Sequence, residues 1–215
     1  MRSVELRRIT AWIGFVIGLA ALLLQFAITI PASMETGRTA LASVIFYFSF
    51  FTILTNIFVV LVYLGAMVKG QSWLTPFRRP WVRGMAAASI TLVMGFYAAV
   101  LADLWKPEGL FWLCDVALHY LSPILYLIWY ALWNRTGTLK YDRITRMLSY
   151  PVAYLIYVLF RGEIVGEYPY PVLDVQAHGY LQIAINIAGL LVVYLAICAA
   201  AIAIDRRIRI PGDAA

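Results

Sequence analysis

The chain has 215 residues, of which 63% are hydrophobic and only 13% are charged, with a mean hydropathy of +0.83. A water-soluble domain needs far more polar surface than this. The net charge of +6 is no nucleic-acid signal either, because the basic residues form four juxtamembrane clusters that meet anionic lipid.

Six apolar stretches reach the length at which a helix spans a bilayer: 9–30, 42–68, 83–104, 113–133, 145–162 and 179–204. The linkers are too short for a separate soluble domain. The expected fold is therefore all-α, one six-helix transmembrane domain over residues 1–215.

The first stretch follows Arg2, Arg7 and Arg8, as a signal peptide would. It is longer than a signal h-region and lacks a small-residue cleavage site near its end, so it reads as a helix. Residues 31–41, opened by Pro31, read as a short outer loop. Within the second stretch, FSFFTILTNIF (48–58) places Thr52, Thr55 and Asn56 on one helical stripe. Residues 69–82 combine two prolines and two tryptophans with basic residues, as in an interfacial loop with aromatic anchors. The third stretch ends near Asp103 and is expected to be continuous, like the others.

In the fourth stretch, Asp115 and His119 stand at i and i+4, with Ser122 and Pro123 following. That spacing puts the carboxylate and the imidazole on one face. Asn134-Arg135-Thr136 fits a glycosylation sequon but falls on the expected cytoplasmic side. The connection RGEIVGEYPYPVLDVQAH (161–178) is the most acidic segment, and its alternating Tyr and Pro make it stiff and extended. It reads either as an interfacial connector or as a rigid cap over a cavity. The sixth stretch carries Gln182 and Asn186 in its first two turns. Cys114 and Cys198 fall at different depths and suggest neither disulfide nor metal site.

Basic residues set the orientation. With a cytoplasmic N-terminus, the inner segments hold Arg2, Arg7, Arg8; Lys69, Arg78, Arg79, Arg83; Arg135, Lys140, Arg143, Arg146; and Arg206, Arg207, Arg209. Only Arg38, Lys106 and Arg161 of the 17 fall outside. Both termini are thus expected on the cytoplasmic side of an inner (plasma) membrane. The polar residues of several helices then gather in the outer half of the bilayer, where ionisable groups must face the protein interior.

Three functions are compatible with such a pocket. A Thr hydroxyl becomes a nucleophile when a base takes its proton, and His119 is the one evident base. Asn56 would donate to a developing oxyanion. Thr52 and His119 would then cleave an ester carried by a long acyl chain and entering from lipid. Alternatively, Asp115, His119 and Asn186 would line half of a solute pathway, or the fold would bind lipid without catalysis. The sequence shows no inner polar stripe, internal repeat or nucleotide motif. No second ligand stands at metal-binding spacing from His119. Neither a cofactor nor a metal nor a nucleic-acid partner is expected, and no feature specifies an oligomeric state.

Three segments, FFTILTN (50–56), ALHYLSP (117–123) and GEYPYPVLD (166–174), on six short-looped spans, carry a resemblance covering about 5–205. The chain resembles the bacterial six-span "Pr-six-Pr" membrane proteins. These look like distant relatives of the androgen-induced-gene-one (FAR-seventeen-a type) family. The resemblance implies a membrane-embedded threonine hydrolase of fatty-acid esters of hydroxy fatty acids. It implies Thr52, after Phe50-Phe51, as nucleophile and His119, before Pro123, as its partner. It matches the family's outer-loop motif to Tyr170-Pro171-Val172-Leu173, with Tyr168 where the family has tryptophan. Thr55, Asn56, Asp115, Ser122 and Asn186 are expected as oxyanion or substrate support.

Overall fold

A backbone shielded from water must satisfy its hydrogen bonds within its own segment, and the apolar stretches accordingly fold as helices. The computed structural model describes residues 2–68 and 70–207. Lys69 and Arg209, assigned above to the inner clusters, lie outside the described residues. The helices are α1 (Arg2–Glu35), α2 (Ala40–Tyr47), α3 (Phe51–Met67), α4 (Pro80–Phe96), α5 (Gly109–Val116), α6 (Ser122–Trp133), α7 (Ile144–Met147), α8 (Ser149–Val165) and α9 (Val175–Arg207). The described residues include no strand. Five helical stretches are long and apolar enough to cross a membrane, and the bent pair α2–α3 makes up to a sixth. Large apolar side chains such as Ile156, Phe160, Leu181 and Val192 point outward and exposed. Such a surface suits lipid and would aggregate in water.

Three spans depart from the expected regular helices. The second is broken: α2 and α3 meet at 71°, with Phe50 in extended conformation (φ −84°, ψ 126°). No Gly or Pro marks the break. Packing supports it instead, since the Tyr154 hydroxyl donates to the buried Ser49 carbonyl at 3.0 Å. Irregular backbone at membrane depth persists only where protein satisfies it in this way. The third span continues past α4 as a π-helical turn, Tyr97–Leu101, and the fourth holds another, Ala117–Leu121, between α5 and α6. Such turns appear mostly inside α-helices and often at functional positions. The first helix also runs through Pro31 to Glu35, because one missing donor near its end does not stop it.

Close helix approach holds the bundle. Gly14 and Gly18 face α3, and a Cβ on Gly14 would lie 2.3 Å from the Tyr63 ring. Small residues four apart let membrane helices pack backbone to backbone. Behind them Tyr63 packs edge to face on Tyr126 and Trp129, which tilt against each other, with ring centres 4.9 to 5.8 Å apart. At the end where α1 begins and α9 finishes, Asn134 accepts from Arg7 and Arg83 at 3.2 and 2.9 Å. The buried Asp205 carboxylate accepts from the Thr136 and Leu139 backbone at 2.9 and 3.0 Å. This end is filled and stitched; the opposite end is hollow.

Candidate active site

The hollow is a cavity of about 440 Å³ formed by Gln25 and Thr29 of α1, the α2–α3 break, the third span beyond α4, the start of the fourth span and the loop 169–171. Its walls are chiefly apolar, with Phe46, Phe50, Ile53, Leu118 and Trp105 among them. That is the composition of a site for a lipid-sized molecule. A few polar groups converge on one wall.

Thr52 and His119 meet there. Thr52 Oγ1 lies 3.2 Å from His119 Nε2. On the other side of the ring, Nδ1 lies 3.0 Å from the Asp115 carbonyl oxygen and 3.1 Å from Asp115 Oδ1. Both of those neighbours only accept, so Nδ1 carries the proton and Nε2 presents its lone pair to the threonine hydroxyl. The second carboxylate oxygen of Asp115 accepts from the Tyr97 hydroxyl. The Tyr97 ring also stacks on the imidazole, with centroids 3.8 Å apart and planes 15° apart. One relay, Thr52–His119–Asp115–Tyr97, thus joins three spans at their hollow end. The two π-helical turns bring Tyr97 and His119 into it.

The local fold of α3 matters as much. Because the second span breaks, Thr52 occupies the first turn of a helix rather than the middle of one. The N–H groups of Phe51, Thr52 and Ile53 have no acceptor within that turn. The Thr52 N–H donates to the Tyr170 hydroxyl at 3.4 Å. Burial pushes the Tyr170 phenol up in pKa, against hydrogen bonds with the Thr52 hydroxyl and with the Thr52 and Phe51 backbone. Tyr170 therefore keeps its proton and can donate it toward negative charge forming beside Thr52.

The remaining expected residues stand elsewhere. Both amide hydrogens of the buried Asn56 are engaged, donating to the Thr52 carbonyl at 2.9 Å and the Leu118 carbonyl at 3.1 Å. Leu118 needs this outside donor, because the Ser122 N–H bonds Ala117 and Pro123 has no N–H. Asn56 is thus a brace between α3 and the π-helical turn, and the oxyanion role assigned to it is corrected. Thr55 shares a hydrogen bond with the Tyr150 hydroxyl at 3.0 Å, away from the cavity. Ser122 is buried on the α1 side, 3.7 Å from where a Cβ on Gly18 would stand. A π-helical turn is wider than an α turn, so three residues after His119 no longer return to its face. Asn186 donates to the Val172 carbonyl at 2.9 Å and accepts from Gln182 at 2.9 Å, tethering the outer loop.

Sequence reasoning passed over Tyr97 and Tyr170, because tyrosine near a span end reads as an interface anchor. The YPYP rigidity of the outer loop and the motif match at Tyr170-Pro171-Val172-Leu173 pointed to the Tyr170 segment, but not to a role for its hydroxyl beside Thr52. Among the described residues, no group of three His, Cys, Asp or Glu gathers as a metal site. No protein-family model, characterised protein or solved structure matches this chain, so its function is read from the site's own geometry together with the resemblance of its motifs.

Proposed function

We propose that this protein is a membrane-embedded lipid-ester hydrolase with Thr52 as nucleophile and His119 as general base. The observation that carries the reading is the 3.2 Å approach of Thr52 Oγ1 to a lone pair of His119 at the wall of an apolar cavity. Thr52 Oγ1 attacks the ester carbonyl and its proton passes to His119 Nε2. Asp115 stabilises the imidazolium, as a carboxylate beside a catalytic histidine does. The Tyr170 hydroxyl, which already accepts from the Thr52 N–H, donates its own proton toward the developing oxyanion. Collapse breaks the ester C–O bond, and His119 gives its proton to the departing alkoxide. Water, deprotonated by His119, then attacks the acyl-threonine; the bond between the acyl carbon and Thr52 Oγ1 breaks, His119 returns the proton to Oγ1, and the acid leaves.

The motif resemblance favours fatty-acid esters of hydroxy fatty acids as the substrate class. Basic residue placement favours both termini in the cytoplasm, with the cavity in the outer half, and the motif resemblance favours a bacterial inner membrane. The packed tyrosine and tryptophan layer beneath the cavity weighs against a solute pathway. A non-catalytic lipid binder would have no need of an aligned relay.

Purified protein in detergent should cleave branched fatty-acid esters. Thr52→Ala or His119→Ala should lower kcat by about 10⁴-fold or more, as nucleophile and base losses do. Thr55→Ala should keep most of the activity, because the Thr55 hydroxyl bonds Tyr150 and does not line the cavity. Cleavage that survives Thr52→Ala at the same rate would overturn the nucleophile assignment.

A further inference from the structure

Thr52 stands in a wall between two cavities. The second, about 70 Å³, lies under Tyr170 between α4, α8 and α9, with Phe96, Leu155, Leu190 and Leu191 in its walls. Thr52, Tyr97, Leu101 and Tyr170 border both cavities. His119 and Asp115 border only the large one. The nucleophile is shared, whereas the base belongs to one side.

That asymmetry assigns the substrate's two arms. When the ester C–O bond breaks, the proton lost by Thr52 must travel from His119 Nε2 to the alcohol oxygen. The alcohol oxygen therefore lies within reach of Nε2, on the large-cavity side. The water of the second step takes the same place, because the same nitrogen must remove its proton. The acyl substituent stays bonded to Thr52 and points away from His119, where the available space is the small cavity. Resting on the hydrolase reading above, we infer that the small cavity between α8 and α9 receives the acyl chain and the large cavity the alcohol arm.

Size sharpens the assignment. A 150 Å³ apolar cavity holds one benzene, about 25 Å³ per carbon. On that scale the small cavity takes about three carbons and the large one about eighteen. Leu155, Leu190 and Leu191 are only half-buried, so a longer acyl chain passes between α8 and α9 into lipid. The best-enclosed substrate is a long lipid alcohol esterified with a short acyl group.

Dodecyl hexanoate bearing a photoreactive diazirine on either the acyl or the alcohol chain tests the assignment without turnover. Full-length Thr52→Ala protein in lipid nanodiscs is irradiated with each probe, and the crosslinked peptides are mapped. The acyl probe should mark peptides holding Leu155 or Leu190, and the alcohol probe peptides holding Gln25 or Phe111. The reverse pattern, both probes on one set, or no crosslink at α8 and α9 would overturn the assignment. Sorted arms in a wild-type protein that cleaves no ester would instead support the assignment and overturn the hydrolase reading. With wild-type hydrolysis intact, Leu190→Trp should lower kcat/KM for dodecyl hexanoate at least tenfold more than for dodecyl acetate. An equal loss for both esters would count against the small cavity as the acyl site.

Discussion

His119 has one kind of neighbour at each ring nitrogen, and this fixes its tautomer before any substrate arrives. Asp115 supplies both contacts at Nδ1, whereas Tyr170 stands beside Thr52, so their losses should differ. Asp115→Asn offers Nδ1 a donor as readily as an acceptor and should lower kcat by about 10²- to 10⁴-fold with KM little changed. Tyr170→Phe removes only a proposed oxyanion donor and should lower kcat by about 10²-fold. Steady-state kinetics on one ester checks both, and an unchanged kcat in Asp115→Asn would remove the carboxylate from the relay. At this scale the sequence was partly legible. Polar groups are costly inside a span, so Thr52, Asp115 and His119 stood out. Thr55, Asn56 and Ser122 stood out for the same reason, yet they spend their hydrogen bonds on neighbouring helices or pack against them. Cost marks a polar residue as paired but does not say with what.

The element that closes the site is the loop 166–174, which carries Tyr170 over Thr52. Gly162 lets it dock, since a Cβ there would lie 2.0 Å from the Tyr168 ring. Glu167 clamps it: Arg161 donates to its carboxylate and to its carbonyl, each at 2.8 Å, and Arg38 from the α1–α2 loop pairs with the other carboxylate oxygen. Burial alone would raise the Glu167 carboxyl, but Arg161 and Arg38 outweigh it and hold its pKa below the ordinary value. A carboxyl depressed in the folded state stabilises the closed loop above its ordinary pKa, and the contribution is lost as pH falls through the lowered value. Protection against hydrogen exchange in residues 166–174, taken relative to the free-chain rate at each pH, should therefore fall on acidification below the ordinary carboxylate range. In Glu167→Gln that protection should already be low at neutral pH and should not change with acid. High protection with the wild-type pH dependence in Glu167→Gln would refute the clamp. The stiffness of this loop was readable from its alternating prolines. The break before α3 was not, because it is held by Tyr154 of a distant helix and by no local Gly or Pro.

For the whole molecule, apolar length alone marked the spans, since lipid leaves a backbone few alternatives to helix. Their mutual placement depended on contacts that periodicity does not encode, such as Gly14 against Tyr63 and Asn56 against Leu118. Orientation remains a claim of charge placement. Single cysteines introduced at Thr138 and at Gly37 should react with an impermeant maleimide only from the cytoplasmic and only from the outer face, respectively; the opposite labelling would invert the topology. The central claim is that one hydroxyl at a helix break is activated by one imidazole. The most direct measurement is mass-spectrometric mapping of the adduct formed when the purified wild-type protein reacts with a fluorophosphonate. A single adduct is expected on Thr52, absent in Thr52→Ala and strongly reduced in His119→Ala. An adduct on another residue, or labelling undiminished in Thr52→Ala, would contradict it.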